Sequence, residues 1–271
     1  MEVLQRGRNA RTGAKESQAL LLLATRPGPR PAQVGSRAAA VDERKVQQAW
    51  QREMAKVALF PGRTHLLPMG PAHARALGYR QEELVGVPSA AVLLCAGMGH
   101  VVHAGALRPG ERVVDVGSGG GLDALLAAKA VGESGRVLGV EMVEELLRKA
   151  QHVAGRLSQL KFLKGYAEQL PTEDGSADVV MANGVVNLCC VDKGRVLREM
   201  WRVLRKGGRL VIADAVTQVV KPWLVRSQPG LWITEQAGLL TADELRTLIV
   251  AAGFSNVQQA TGQNLWSATR D

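Results

Sequence analysis

The stretch Val113-Val-Asp115-Val-Gly117-Ser-Gly119-Gly-Gly121-Leu decides the fold of this chain. A short apolar run leads into three alternating glycines, and a helical pattern follows from Leu122 to Val131. Glycines let the backbone approach a ligand closely, and the first turn of a helix offers free N–H groups. The stretch therefore predicts a strand, a loop and a helix, in which the loop either binds a ligand or is simply a tight turn.

Strands and helices alternate on both sides of this loop. The predicted strands are Arg112–Val116, Arg136–Val140, Phe162–Leu163, Asp178–Ala182 and Arg209–Ala213. The predicted helices are 42–60, Leu122–Val131, Val143–Leu157, Val196–Leu204 and one from the capping box at Thr241 to Gly253. Strands that are apolar on both faces form parallel sheets covered on both sides, and right-handed crossovers make the sheet doubly wound. The predicted fold class is therefore α/β, with a doubly wound, mostly parallel sheet.

Composition bounds the organisation and the partners. The chain has 271 residues, 46% of them hydrophobic, and a net charge of +9. Residues 1–41 contain seven basic and two acidic residues, so this segment supplies +5 of that charge, which weakens any inference from charge to nucleic acid. We predict a basic disordered extension or targeting segment at 1–41, a helical segment that covers a cofactor at 42–107, and a catalytic domain at 108–271.

Composition also bears on the location of the protein. Three cysteines fit a reducing compartment, and no apolar stretch approaches 18 residues. We predict a cytoplasmic protein without a membrane partner. Import into an organelle through the Arg-rich segment 1–41 is the alternative.

Two acidic residues indicate which kind of ligand the glycine loop binds. Glu141 closes the second predicted strand, where it can accept hydrogen bonds from both hydroxyls of a ribose, although alone it would suit a helix cap. Asp115 precedes the first glycine by two residues, and a buried carboxylate there repels phosphates and favours a cationic ligand. Leu122 stands where a strict dinucleotide loop needs glycine. The sequence therefore predicts a site for a positively charged nucleoside.

Several longer motifs resemble those of class I S-adenosylmethionine-dependent methyltransferases, over roughly residues 68–260. The strings that narrow the resemblance to the arsenite methyltransferase family are Cys95-Ala-Gly-Met-Gly99, 115–123, Val137-Leu-Gly-Val-Glu-Met142, Asn183-Gly-Val-Val-Asn187-Leu, Asp192-Lys193 and Val203-Leu-Arg-Lys-Gly-Gly. The resemblance implies S-adenosyl-L-methionine as the cofactor. It also implies a Rossmann-like sheet of seven strands, whose final antiparallel strand would be Asn264–Ala268.

The resemblance also assigns roles to individual residues. It implies that the loop holds the methionine part of the cofactor, Glu141 the ribose, and that Asn183 borders the sulfonium and the acceptor. Asn183 would equally suit a turn, and Met142 a packed core. The cofactor-binding residues implied in this way are Asp115, Gly117, Ser118, Gly119, Gly121, Glu141, Met142, Ala167, Glu168, Asn183 and Val185.

The acceptor site departs from the family pattern. Trivalent arsenic is soft and requires converging thiolates, but Met98, Gly184 and Glu235 stand at the three matching positions. The cysteines of this chain are displaced by three to six residues, at Cys95, Cys189 and Cys190. They form a metal site only if arsenite is the acceptor, and otherwise are buried, inert thiols. We predict a small organic acceptor, with arsenite at a shifted cysteine site as the alternative.

No residue stands out as a general base. Histidine as a residue type suits proton transfer near neutral pH, and His100 and His103 lie in a segment that can cover the cofactor. With Asn183 they are therefore the candidate catalytic residues, although both histidines would also suit packing or the surface. A sulfonium already activates its methyl group, so in-line transfer needs mainly alignment and exclusion of water. Residues 219–240 are predicted to form a wall or lid of the acceptor pocket, with Trp223, Trp232 and Gln236 in it.

Three other functions stay open. A nicotinamide-dependent oxidoreductase fits a similar sheet, but Asp115, the loop spacing and the lack of a Tyr-x-x-x-Lys motif speak against it. A nucleic-acid methyltransferase would typically follow strand four with Asn-Pro-Pro, whereas Asn183 is followed by Gly-Val-Val. A non-catalytic cofactor-binding protein is the third alternative. We predict a small-molecule methyltransferase with no nucleic-acid partner, and the sequence leaves its oligomeric state open.

Overall fold

A computed structural model of the chain describes residues 18–25, 42–63, 65, 67–155, 157–190, 192–221, 225, 228–233 and 236–259. One sheet of seven strands has the order β4-β3-β2-β5-β6-β1-β7. The strands are β1 (Gln18–Thr25), β2 (Arg112–Val116), β3 (Arg136–Glu141), β4 (Leu160–Lys164), β5 (Ala177–Asn183), β6 (Leu204–Val216) and β7 (Ser255–Gln259). Five neighbouring strands, β4, β3, β2, β5 and β6, run parallel to one another. This confirms the predicted α/β class and the mostly parallel, doubly wound sheet.

Helices cover both faces of the sheet. They are α1 (Glu43–Leu59), α2 (Pro71–Ala76), α3 (Gln81–Leu84), α4 (Ser89–Leu93), α5 (Val101–Ala104), α6 (Leu122–Val131), α7 (Glu144–Ala154), α8 (Lys193–Val203), α9 (Pro229–Ile233) and α10 (Ala242–Ala251). Adjacent strand residues belong to opposite cores: Val113 packs with α6, whereas Val114 packs with α8 and α10. Burial on both faces explains why these strands are continuous apolar runs.

The antiparallel strand comes from an unexpected part of the chain. β1 lies between β6 and β7 and pairs antiparallel with both, with Leu22 opposite Ile212 and Gln259. The prediction of a disordered extension is therefore wrong for residues 18–25. The run of apolar residues there is typical of a strand, but its partners lie more than 180 residues further along the chain, so no local signal reveals the pairing. The antiparallel strand implied at Asn264–Ala268 lies outside the described residues.

Two features of the fold position the site. The strand order reverses between β2 and β5, so the loops after β2 and β5 diverge and leave a crevice at the carboxyl end of the sheet. Helix α1, which begins after its N-cap Asp42, contacts α7 at one end of this crevice and α9 at the other. Within the described part of the chain, no helix is long and apolar enough to span a membrane.

Candidate active site

A cavity with about 1380 Å³ of empty space, counted to its open mouth, lies in this crevice. The glycine loop after β2 forms its floor, residues 91–97 and 183–185 form two walls, and α1 covers it. Of the predicted cofactor residues, ten line this cavity: Asp115, Gly117, Ser118, Gly119, Glu141, Met142, Ala167, Glu168, Asn183 and Val185. Gly121 does not line it, because it lies behind the loop and starts α6 in the left-handed conformation.

The loop approaches the opposite wall too closely for a side chain at Gly117. Its φ is +68°, and a Cβ atom there would lie 2.6 Å from Cγ2 of Val185. The backbone N–H groups of Gly117 and Ser118 both donate to the carbonyl of Val140, which fixes the start of the loop against β3. The result is a bare main-chain floor that a ligand can approach closely.

Glu141 is buried and held by the main chain. Its carboxylate accepts hydrogen bonds from the N–H of Gly119 at 2.9 Å and from the N–H of Val143 at 2.8 Å. Burial raises the pKa of this carboxyl, while these hydrogen bonds act in the opposite direction. The group is thereby fixed in the cavity wall, with lone pairs left for a ligand.

Asp115 is a buried carboxyl with one oxygen that lacks a partner, while Ala124 supplies a main-chain hydrogen bond to the group. Asp115 is 2% exposed, and Oδ2 has no hydrogen-bond partner. Burial, followed by the carboxylates of Asp123 and Glu141, raises its pKa well above the usual range. The hydroxyl of Ser118, in the same loop, is also buried and unpartnered. Orphaned polar atoms beside a cavity indicate that a polar ligand completes the site.

Asp123 and Tyr79 form a hydrogen-bonded cluster with Asn183 that sequence reasoning missed. Oδ1 of Asp123 accepts from the Tyr79 hydroxyl at 2.6 Å, and Oδ2 accepts from Nδ2 of Asn183 at 2.9 Å. Oδ1 of Asn183 accepts from the N–H groups of Met98 and Gly99. Asn183 therefore ties the end of β5 to the segment before α5. Only the string ending at Asp123 hinted at this residue, and nothing local linked it to Tyr79.

The two candidate histidines lie outside the cavity. The ring of His100 stacks on that of Tyr79 with centroids 4.1 Å apart, its Nε2 lies 3.2 Å from Oε2 of Glu83, and its Nδ1 accepts from the N–H of His103. Neither His100 nor His103 lines the cavity. Their segment places His100 beside Glu83 of α3 rather than at the glycine loop, and the role of both histidines as candidate catalytic residues stays a prediction. Asn183 does line the cavity, but its amide is occupied by the contacts above.

The charge of the cavity has one sign. Four acidic side chains line it, from Asp115, Asp123, Glu141 and Glu168, and among its described lining residues there is no Lys, Arg or His. Such a site attracts cations and repels pyrophosphate. A polar contact joins the covering helix α1 to the acidic lining, because Nε2 of Gln47 donates to Oε1 of Glu168 at 3.4 Å.

The three cysteines line the same cavity without forming a metal site. Among the described residues, no group of three or more His, Cys, Asp or Glu side chains could hold a metal ion. Burial raises the pKa of both the Cys95 and the Cys189 thiols to about 12, and burial also raises that of Cys190. These thiols are therefore protonated at neutral pH, whereas soft metals bind thiolates.

The outer wall of the cavity is apolar and comes from α1. Val46, Trp50, Met54 and Val57 recur along one face of this helix and all line the cavity. The described part of 219–240 does not contribute. Trp232 packs with Val46 and Ala237 behind α1, Gln236 is exposed, and Trp223 lies outside the described residues. The wall predicted at 219–240 is thus supplied by α1.

Comparison with known proteins shows which family of proteins this chain is similar to. Residues 107–253 match a family model described as a methyltransferase domain. The arsenite methyltransferase of Halobacterium salinarum is 37% identical over 203 residues, which cover 72% of this chain and 51% of that protein. The human arsenite methyltransferase is 33% identical over 153 residues, which cover 52% of this chain and 40% of that protein. The chain thus spans about half the length, or less, of these curated relatives.

Two further relatives are informative. The chloroplastic 2-phytyl-1,4-beta-naphthoquinone methyltransferase of Arabidopsis thaliana is 30% identical over 174 residues, which cover 55% of this chain and 66% of that protein. Among solved structures, an arsenic (III) S-adenosylmethionine methyltransferase from Chlamydomonas reinhardtii superposes with a TM-score of 0.58 at 36% identity. That match covers 69% of this chain and 62% of the other.

Proposed function

Because the chain belongs to the methyltransferase domain family, we propose that it is an S-adenosyl-L-methionine-dependent methyltransferase that acts on a small organic molecule. The observation that carries the proposal is the acidic character of the cavity, which is lined by four acidic side chains and, among its described lining residues, by no cationic side chain. A sulfonium nucleoside with an ammonium group suits such a site. A dinucleotide pyrophosphate does not, and this disfavours a nicotinamide-dependent oxidoreductase.

The residues present fit this cofactor. The bare loop at Gly117–Gly119 offers main-chain groups to the methionine part, and the orphaned carboxyl of Asp115 offers a partner for a cation. The fixed carboxylate of Glu141 suits a ribose, with Met142 and the Ala167–Glu168 pair beside the base. When bound, S-adenosyl-L-methionine supplies a methyl group that its sulfonium already activates for transfer to a nucleophile.

The protein's own contribution is then to align the reactants and to exclude water. Helix α1 covers the cavity with an apolar face, and Asn183 holds the main chain of Met98 and Gly99, next to the wall residue Gly97. No histidine lines the cavity within the described residues, so a proton from the acceptor would pass to a carboxylate or to solvent. Alignment in a water-poor site is the main requirement of such a transfer.

The acceptor that suits this cavity is an apolar molecule without a negative charge. The face of α1 with Trp50 and Met54 offers apolar contacts, whereas the carboxylates disfavour anions. Arsenite is disfavoured by the protonated, unclustered thiols of Cys95, Cys189 and Cys190. No feature of the described residues calls for a nucleic acid, and the cytoplasmic location remains a prediction.

Equilibrium binding tests the cofactor directly. We expect the purified chain to bind S-adenosyl-L-methionine and not NAD, and Asp115→Ala to lose that binding. Glu173→Gln, on the exposed loop before β5, is the matched control and should keep the wild-type affinity. Binding of NAD in preference would refute the proposal.

An acceptor screen with radiolabelled methyl donor tests the substrate class. We expect apolar organic acceptors to be labelled and arsenite, supplied with a thiol, to be unlabelled. Turnover of arsenite that is lost in Cys189→Ser would overturn the preference for an organic acceptor and establish a shifted cysteine site.

A further inference from the structure

Two carboxyls face one cavity from successive elements, the buried Asp115 at the end of β2 and the half-buried Asp123 in the first turn of α6. Asp115 is 2% exposed with an unpartnered Oδ2, and both residues line the cavity. Two close carboxyls in a site of low dielectric do not both ionise readily, since each charge opposes the other. One proton therefore belongs to the pair when no ligand is present.

The hydrogen bonds show which carboxyl keeps the charge. Asp123 accepts from the Tyr79 hydroxyl at 2.6 Å and from the Asn183 amide at 2.9 Å, and both donors stabilise its ionised form. Asp115 accepts a main-chain hydrogen bond from Ala124, but no side-chain donor of this kind reaches it and its Oδ2 has no partner. Donors to the charged form favour that form, so the proton resides on Asp115 and the charge on Asp123.

The other groups around the pair do not neutralise it. Glu141 on β3 adds a further negative charge, and burial keeps the hydroxyl of Tyr79 and the thiol of Cys95 protonated by raising the pKa of each. His100 lies behind Tyr79, where its Nε2 meets Glu83, and it is the nearest group here that could carry positive charge toward Asp123. A cation that enters the cavity thus meets Asp115 as its unpaired partner.

We propose that the ligand-free site holds one negative charge shared by Asp115 and Asp123, with the proton on Asp115, and that a cationic nucleoside binds by displacing this proton to solvent. The balance is simple: the Asp115 O–H bond breaks, the carboxylate pairs with the cation, and one proton leaves for each ligand bound. Asp123 acts here as a positioning residue, because its charge keeps Asp115 protonated until the ligand arrives. The inference rests on the proposed function and adds a residue and a proton to it.

Calorimetry in buffers of different ionisation enthalpy counts the protons released. At neutral pH, S-adenosyl-L-methionine should release about one proton per site, and its affinity should rise by up to about tenfold per pH unit while Asp115 stays protonated in the free protein. The neutral analogue 5′-methylthioadenosine, which lacks the ammonium and sulfonium charges, should release none. Equal release with both ligands would overturn the proposal.

Variants identify the group that releases the proton. Asp115→Asn should lose proton release and bind S-adenosyl-L-methionine more weakly. Asp123→Asn should also lose the release, because Asp115 then ionises before the ligand binds. Glu173→Gln, which changes an exposed carboxylate outside the cavity, should keep the release. Release that persists in Asp115→Asn would refute the assignment.

A second measurement does not depend on the folding of Asp123→Asn. The infrared carbonyl band of a protonated carboxyl should be present in the ligand-free wild type, missing in Asp115→Asn, and bleached when S-adenosyl-L-methionine is added. Binding without bleaching or proton release would refute this inference alone. Failure of the wild type to bind S-adenosyl-L-methionine at all would refute the proposed function instead.

Discussion

Gly117 and Gly119 both have positive φ but different surroundings. Alanine substitutions at the two positions therefore separate the cost of backbone strain from the cost of steric contact. Both have positive φ, +68° and +54°, but a Cβ atom at Gly117 would lie 2.6 Å from Val185, whereas nothing lies within 4 Å of one at Gly119. The left-handed conformation costs a side chain about 1–2 kcal/mol at either position. We expect Gly117→Ala to lose about 1–3 kcal/mol more than Gly119→Ala, because Val185 must move.

Denaturant unfolding of the two variants, with and without S-adenosyl-L-methionine, checks this prediction. Gly119→Ala is the control for strain, and Val185→Ala combined with Gly117→Ala should recover part of the additional loss. Equal free energies of unfolding for the two single variants would show that the loop can move away from β5.

Asp115 should also set how the stability of the ligand-free protein depends on pH. Burial, then the charges of Asp123 and Glu141, raise its folded pKa well above the 3.8 of an unperturbed aspartate. A carboxyl with a raised folded pKa contributes stability below its unfolded pKa, and this contribution is lost as the pH rises through the folded value. Asp115→Asn has no such titration, so its free energy of unfolding relative to wild type should increase with pH.

Urea unfolding from about pH 5 to about pH 9 measures this difference, with Glu173→Gln as a control that should run parallel to wild type. A constant difference between wild type and Asp115→Asn across this range would mean that Asp115 does not titrate there.

At the scale of residues, the sequence predicted the site residues that lie at the ends of adjacent strands. It did not predict the contacts that these residues make with distant segments of the chain. Asp115, the glycines and Glu141 follow from the ends of adjacent strands, and all but Gly121 line the cavity. Tyr79 meets Asp123 from a segment 44 residues away, and such a pairing depends on packing that no local spacing encodes. Local spacing likewise gave no sign that His100 would stack on Tyr79 and meet Glu83.

The turn between β5 and α8 is a cavity wall held from outside by charged groups. The Lys193 ammonium donates to the carbonyls of Asn187 and Cys189 at 2.9 and 3.1 Å, and to that of Val186. The carboxylate of Asp214 accepts from the N–H of Val186 at 2.7 Å. Buried carbonyls that lose a charged donor are costly, so this turn depends on Lys193 for its shape.

Lys193→Met should therefore loosen the turn and expose Cys189. Cys189 is half-buried, and burial raises the pKa of its thiol to about 12, so alkylation of the wild type should be slow. We expect alkylation of Cys189 to accelerate several-fold in Lys193→Met while Cys95, on the opposite wall, reacts as before. Peptide mapping after timed alkylation gives both rates in one sample.

Lys129→Met is the matched control, because Lys129 donates to one exposed carbonyl, that of Val85, far from this turn. If Cys189 reacted at the wild-type rate in Lys193→Met, the turn would keep its shape without the ammonium.

At the scale of elements, local signals predicted where a helix starts when its own sequence contains the capping residues. Helix α1 starts after Asp42, and α10 starts at the capping box of Thr241 and Glu244, within a residue or so of the predicted bounds. β6 extends to Leu204–Val216, beyond the predicted 209–213, because its ends are fixed by pairing with neighbours rather than by turn residues. β1 was missed as a strand altogether.

At the scale of the whole molecule, the site depends on one reversal of strand order. β3 and β5 flank β2 on opposite sides, so Glu141, Asp115 and Asn183 converge from three parallel strands at one edge of the sheet. The cover comes from α1, which precedes the sheet core by more than 50 residues in the chain. A doubly wound pattern predicts the convergence of the three strand ends. The position of α1 over the site, in contrast, requires its tertiary contacts with α7 and α9.

The place of β1 in the sheet yields a prediction for the whole molecule. β1 pairs eight residues with β6 and is also the strand to which β7 pairs. Removing residues 1–26 would leave β6 with an unpaired edge and detach β7, and exposed strand edges lower stability and promote aggregation. We expect this truncated chain to unfold several degrees below the full-length chain and to aggregate.

Thermal unfolding followed by circular dichroism, together with size-exclusion chromatography, measures both effects. Removing residues 1–16 leaves β1 intact and is the control, which should behave like the full-length chain. Leu22→Pro in the full-length chain should give an intermediate loss, because proline cannot donate to a ladder between two strands. If the chain without residues 1–26 unfolded at the control's temperature and eluted as a single species, another segment would occupy the position between β6 and β7.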